Sequence, residues 1–119
     1  MTFTNLRGLA TSLVMAAAII ATLGAPARAE EFKVTIDNFT FTPPELKVKV
    51  GDTVTWTNHD DIPHTVVSAG KFRSKTLDTD DKFSFTFTTA GVYEYFCSLH
   101  PHMTGTIVVE GATGSNTSP

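Results

Sequence analysis

Val92-Tyr93-Glu94-Tyr95-Phe96-Cys97-Ser98-Leu99-His100-Pro101-His102-Met103-Thr104-Gly105 joins a β-forming run to a cluster of metal-binding side chains. Val92 to Cys97 is rich in aromatic residues and predicts a strand, and Gly105 to Val109 predicts the next, so the residues between them form a loop. From Cys97 to Met103 that loop packs a thiolate, two imidazoles and a thioether into consecutive sequence, and these are soft donors of the kind copper takes. Cys97 is the only cysteine in the chain. Met103 is the only methionine outside the N-terminal segment that holds Met1 and Met15.

The remaining strands follow from alternation. Phe32, Val34 and Ile36 alternate with Lys33, Thr35 and Asp37, and Asn38 to Thr42 continues as a β-forming run until Pro43-Pro44, where no ladder can proceed. Leu46, Val48 and Val50 alternate with lysines up to a Gly51-Asp52 turn. Thr53 to Thr57 and Thr65-Val66-Val67 are β-branched, and Phe83, Phe85 and Phe87 alternate with Ser84 and Thr86. Ser68 to Asp81 reads as a long polar connection. About seven short strands separated by Gly, Pro, Asn and Asp predict an all-β sandwich.

The N-terminus has a different character. Arg7 precedes an apolar run from Leu9 to Leu23, followed by Pro26 and the small-residue motif Ala27-Arg28-Ala29. This predicts a secretory signal peptide over residues 1–29, cleaved after Ala29, rather than a retained membrane anchor. Residues 30–110 form one domain, and residues 111–119 have nothing to bury and are expected to be a disordered tail. Twelve acidic residues against nine basic ones give a net charge of −3, and loss of Arg7 and Arg28 makes the exported chain more acidic still. Nucleic-acid binding needs a clustered basic face, so that class is excluded.

A lone cysteine in an exported protein is exposed to oxidation and mispairing. It is paired with a cysteine of another chain, buried and structural, or held by a metal; the apolar run ending at Cys97 argues against the first, and the spacing of Cys97, His100 and Met103, each three residues apart, favours the metal. A copper centre of the electron-transfer kind needs two imidazoles and a thiolate with a weak axial thioether. His64, after Pro63 and before a strand, is the candidate for the missing imidazole. His102 is the alternative to His100, and His59, among Asn58, Asp60 and Asp61, reads as a surface histidine.

Three blocks now stand out: Phe41 to Asn58, Ile62 to Val66, and Tyr93 to Gly105. Together they resemble the plastocyanin/azurin-like cupredoxins, and the Cys-x-x-His-x-x-Met loop is most similar to the amicyanins. The resemblance covers Glu31 to Glu110. It implies a Greek-key β-sandwich, one mononuclear type 1 blue copper ion, and His64, Cys97, His100 and Met103 as its ligands. It also implies that Asn58 steadies the ligand loop and donates near the cysteine sulfur.

Members of such a family shuttle one electron between redox proteins. The resemblance therefore implies a periplasmic monomeric carrier, not an enzyme, with a donor dehydrogenase and an acceptor cytochrome or oxidase as partners. Two departures from the pattern are visible. His102 stands where amicyanin-like loops hold an apolar residue. Phe96 stands where plastocyanins carry a tyrosine exit, so the expected exit is the edge of His100, with Leu99, Pro101, Pro63 and Ile62 forming an apolar patch. Asp60, Asp61, Asp78, Asp80 and Asp81 are expected on a solvated loop face, with steering of a basic partner as the alternative reading.

The rival readings are a copper-handling module with the same ligands and a Cys-His hydrolase. The hydrolase leaves Met103 unexplained and lacks an oxyanion-hole signature. One cysteine cannot bridge a dinuclear copper centre, and four histidines are too few for a multicopper enzyme.

Overall fold

The computed structural model describes residues 29–111, so the expected signal peptide and tail lie outside the described residues except for Ala29 and Gly111. Nine strands make two sheets, with no helix among the described residues. The strands are β1 (Glu31–Asp37), β2 (Thr40–Thr42), β3 (Glu45–Lys49), β4 (Thr53–Asn58), β5 (Val67–Ser68), β6 (Phe72–Arg73), β7 (Lys82–Thr86), β8 (Gly91–Cys97) and β9 (His100–Glu110). One sheet has the order β2-β1-β4-β7 and the other β3-β9-β8-β5-β6. The chain crosses repeatedly from one sheet to the other, which gives the Greek-key sandwich its connectivity.

Alternation along the strands builds the interior. In β4, Val54, Trp56 and Asn58 are buried while Thr53, Thr55 and Thr57 face outward. The outward hydroxyls are used: Thr53 meets Thr86 at 2.7 Å and Thr55 meets Ser84 at 2.6 Å across the β4–β7 pair. Trp56 is fully buried and lies edge-on to Tyr95, at 5.3 Å between ring centroids. Phe41 also packs on Tyr95, at 4.7 Å between centroids. Burying each such ring stabilises the fold by about 2–3 kcal/mol before entropy is counted. The same cluster includes Cys97 and Met103, so the ligand end is continuous with the core.

Gly105 is fixed by this packing. It pairs with Tyr95 across β8 and β9, and a Cβ there would overlap the Tyr95 ring. Burial also pushes the Tyr95 phenol up to about 12, so it is a neutral core residue at any physiological pH. Near the start of β8, away from the site end, the Tyr93 hydroxyl donates to the Thr89 carbonyl at 2.6 Å and ties the preceding turn to the strand.

The structure corrects the expected strands in three places. The connection from Ser68 to Asp81 is more regular than its polar composition implied, because it carries β6 and a bridge between Leu77 and His64. The strand after the ligand cluster starts at His100 rather than Gly105, which leaves only Ser98 and Leu99 as the turn. Asn38 and Phe39 form a two-residue turn with φ of +53° and +57°, where an unbroken strand was expected. Positive φ at both positions is what a tight hairpin of this length demands.

Candidate metal centre

The ends of β1, β4 and β8 and the starts of β2 and β9 gather at one end of the sandwich. Cys97 closes β8, and His100 opens β9 directly opposite it. The register slips between Phe96 and Cys97, a local irregularity of the kind that re-aims side chains at functional sites. Met103 follows on β9 and is buried in the same cluster as Cys97. His64 comes from the other direction, in the connection between β4 and β5. Its backbone is locked to Leu77 by reciprocal hydrogen bonds of 3.1 and 2.8 Å.

These paths bring three donor atoms together. His64 Nδ1 lies 3.7 Å from Cys97 Sγ, His100 Nδ1 lies 3.6 Å from the same sulfur, and the two nitrogens are 3.2 Å apart. A point in the plane of this triangle is about 2.0 Å from all three atoms, which matches a metal–imidazole bond and is about 0.3 Å shorter than a metal–thiolate bond. His64 and Cys97 are fully buried and His100 is half-buried. The donor set is two imidazoles and a thiolate, with the buried thioether of Met103 nearby in sequence, and this composition fits copper rather than a hard cation. His59 and His102 are exposed and lie outside the triangle. His59 sits 3.8 Å from Asp80 at the surface, a contact of little energetic weight.

Behind His64 lies a residue that sequence reasoning placed wrongly. Asp60 was expected on the solvated loop face, but it is buried and its carboxylate accepts a 2.8 Å hydrogen bond from His64 Nε2. It also accepts from the backbone N–H of Asn38 at 2.6 Å and of Phe39 at 2.9 Å. Burial pushes the Asp60 carboxyl up, but the hydrogen bonds from Phe39, Asn38 and His64 outweigh that and hold it at about 2. The ionised carboxylate fixes His64 with Nε2 protonated, so Nδ1 presents its lone pair to the triangle. The turn at Asn38 and Phe39 therefore has a purpose: its two N–H groups converge on one anion.

Asn58 does half of what was expected of it. Its side chain is fully buried and spans the ligand loop, with Nδ2 donating to the carbonyls of Ile62 at 3.0 Å and Leu77 at 2.9 Å. Its Oδ1 accepts from the Asp60 N–H at 2.9 Å. Both amide hydrogens are spent on those carbonyls, so Asn58 has none to offer the sulfur. Thr65 takes that place. Its backbone N–H donates to Cys97 Sγ at 3.3 Å, and its hydroxyl lies 3.8 Å from the sulfur. The Thr65 hydroxyl also meets Ser98 Oγ at 2.8 Å and accepts from the Ser98 N–H at 2.8 Å. Thr65 thus clamps the Cys97 turn to the β4–β5 connection that carries His64. Its position immediately after His64 was the available signal, but a β-branched residue there reads simply as strand.

Phe39 is the other residue missed. Its ring lies edge-on to His64 at 5.4 Å and to His100 at 4.9 Å between centroids. It holds a left-handed backbone conformation that costs a non-glycine residue about 1–2 kcal/mol.

Comparison with known proteins places this arrangement. The profile of the cupredoxin-like domain matches residues 9–109, and the chain belongs to that family. Within it the similarity runs to the amicyanins. Amicyanin of Paracoccus denitrificans is 41% identical over 83 residues, covering 65% of this chain and 63% of that protein, so less than two thirds of the relative's length is spanned. Amicyanin-alpha of Methylorubrum extorquens is 36% identical over 107 residues, covering 85% of this chain and 88% of its own. Among solved structures, an oxidised single-site mutant of amicyanin superposes with a TM-score of 0.64 at 39% identity, covering 66% of this chain and 81% of that one. A purple cupredoxin from Nitrosopumilus maritimus superposes with a TM-score of 0.64 at 35% identity, covering 66% of this chain and 98% of that one. The cofactor defined by this family and this donor set is one mononuclear copper ion.

Proposed function

We propose that the chain is an exported blue copper protein that carries single electrons between redox proteins in the periplasm, with His64, Cys97, His100 and Met103 as the copper ligands. The observation that carries this reading is the triangle of His64 Nδ1, His100 Nδ1 and Cys97 Sγ, sized for one metal and built from soft donors. The bound copper supplies a one-electron couple between Cu(I) and Cu(II).

The protein's own residues do the rest. Asp60 orients His64, Thr65 and Ser98 fix the Cys97 turn, and full burial of Cys97 excludes water and substrates from the thiolate. A sulfur with no exposed surface suits a ligand and not the nucleophile of a hydrolase. His100, half-buried at the rim, offers the electron its route to a partner. Cleavage of residues 1–29 on export, monomeric state, and exchange with a dehydrogenase on one side and a cytochrome or oxidase on the other complete the reading. The amicyanin relatives and a relative described as the methylamine utilization protein MauL support redox proteins as partners.

The test is the visible spectrum of the exported protein after addition of Cu(II), followed by a mild reductant and reoxidation. An intense thiolate-to-copper band that bleaches and returns is expected. Copper binding without that band would redirect the reading to metal handling.

A further inference from the structure

We propose that cleavage after Ala29 completes the fold as well as releasing the chain: it turns the backbone nitrogen of Glu30 into an ammonium that neutralises the buried carboxylate of Asp52. The domain then reaches its full stability only once it is processed. The inference rests on the export reading above and assigns a structural consequence to the cleavage.

Asp52 lies in the turn between β3 and β4, at the end of the sandwich opposite the metal centre. β1 and β4 run parallel, with Glu31 beside Thr53 at this end and Ile36 beside Asn58 at the other. Asp52 is only 5% exposed, and its carboxylate is a junction. One oxygen accepts from the Lys49 N–H at 2.8 Å and the other from the Glu30 N–H at 2.9 Å. Its backbone joins a further segment, since the Phe87 N–H donates to the Asp52 carbonyl at 2.9 Å. What the carboxylate lacks is a countercharge. No lysine, arginine or histidine side chain among the described residues forms an ion pair with it, and Lys49 contributes its backbone N–H. A buried carboxylate satisfied only by neutral donors keeps part of its desolvation cost.

The nitrogen that supplies the charge is already in place. Two independent observations meet at Glu30: the small-residue motif Ala27-Arg28-Ala29 puts the cut directly before it, and the fold puts its nitrogen on Asp52. Hydrolysis of the Ala29–Glu30 bond by a processing peptidase consumes one water. It leaves a carboxylate on Ala29 and an amine on Glu30, which takes up a proton. An α-amine ordinarily titrates at about 8, so it is largely charged at neutral pH even before pairing. The Glu30 carbonyl is held separately by the Thr53 N–H at 3.0 Å, and β1 starts one residue later, at Glu31. The nitrogen therefore keeps its position when the bond behind it is cut, and little chain entropy is lost in forming the pair. An ammonium there makes a charge-assisted hydrogen bond about twice as strong as that of the amide it replaces.

The experiment compares the exported, copper-loaded protein with a form carrying an Ala-Gly insertion between Ala29 and Glu30. Cleavage of that form leaves the ammonium two residues upstream and an ordinary amide at Glu30. Each is made with and without Asp52→Asn, and thermal unfolding is followed. With Asp52 present, the insertion should lower the melting midpoint by about 5 to 10 °C, a roughly tenfold change in the unfolding equilibrium. Alongside Asp52→Asn it should lower the midpoint by less than about 2 °C, whereas a penalty from crowding would be the same in both backgrounds. A second measurement needs no substitution. Acetic anhydride at neutral pH should acylate the Glu30 amine at least about tenfold more slowly than the displaced amine of the inserted form, read from the mass of the N-terminal peptide. A midpoint loss that is absent or equal in the two backgrounds, or equal acylation rates, would overturn the proposal. An exported chain whose mass shows a start other than Glu30 would remove the cleavage reading and this proposal together. The visible copper band belongs to the other end and should be the same in all four proteins. A protein without that band that still shows the midpoint pattern would support this proposal while removing the electron-carrier reading.

Discussion

The two imidazoles at the centre have opposite surroundings. His64 is wholly buried, its outer nitrogen bound to Asp60 and its backbone tied to Leu77. His100 is half-buried, bordered by exposed Leu99, Pro101 and His102, and touched by the edge of Phe39. One side of the site is over-determined by hydrogen bonds, and the other is shaped by apolar contacts that leave it accessible. The difference shows how a site of this kind divides its work: the buried wall sets the geometry, and the rim exchanges with the outside.

The most severe test removes the atom that both halves share. Cys97→Ser replaces the thiolate with a hydroxyl, and the intense visible band should vanish entirely in an absorption spectrum of the copper-loaded variant. A blue colour that survived would mean the triangle is not the chromophore.

Next in size is an attack on the buried wall alone. Asp60→Ala leaves the His64 Nε2 and the N–H groups of Asn38 and Phe39 without their shared acceptor, and should cost about 3 kcal/mol in a urea titration. The pH dependence has a definite sign. Asp60 titrates at about 2 in the folded protein against an ordinary 3.8, so its stabilisation is fully present above pH 4. That contribution, about 2 kcal/mol, is lost as pH falls from about 4 to about 2. Asp60→Asn should show a correspondingly flatter acid limb, measured as stability against pH; an unchanged limb would place the acid sensitivity elsewhere.

A finer cut separates holding the sulfur from tuning it. Thr65→Val keeps the backbone N–H on Cys97 Sγ but removes the hydroxyl that Ser98 uses. It should cost about 1 kcal/mol and lower the reduction potential while keeping the visible band, because hydroxyl and amide dipoles near the thiolate favour the more electron-rich reduced state. Voltammetry on the two proteins decides it.

The smallest effect on the fold belongs to the rim. Leu99→Ser should change stability by less than about 0.5 kcal/mol, since the side chain is exposed, and should leave the spectrum intact. Its consequence should appear only as slower exchange with a protein partner in stopped-flow. A spectral change would show that the rim also sets the geometry.

Much of this was legible in the chain. Alternation in β1, β3, β4, β7 and β8 follows a period of two that burial enforces, so those strands could be read directly. The donor residues were legible because Cys97 and Met103 are rare residue types set at a regular spacing. Asp60 was not, because an Asp beside His59 and Asp61 looks like any solvated turn until Asn38 and Phe39, about twenty residues away, deliver their N–H groups to it. Phe39 failed for the related reason that its turn conformation opposes its strand propensity and is imposed by that anion. Thr65 looked like ordinary strand, and only its closeness to Ser98 across 33 residues gives it a role.

The sequence by itself determined the fold class and the chemical type of the centre. Both depend on local periodicity and on which donor atoms the chain owns. Tertiary structure decided which carboxylate orients His64, which donor reaches the sulfur, and which aromatic ring covers the imidazoles. Those are contacts between residues far apart in the chain, and hydrogen bonds of about 3 Å form only after the packing of two sheets has brought the segments together.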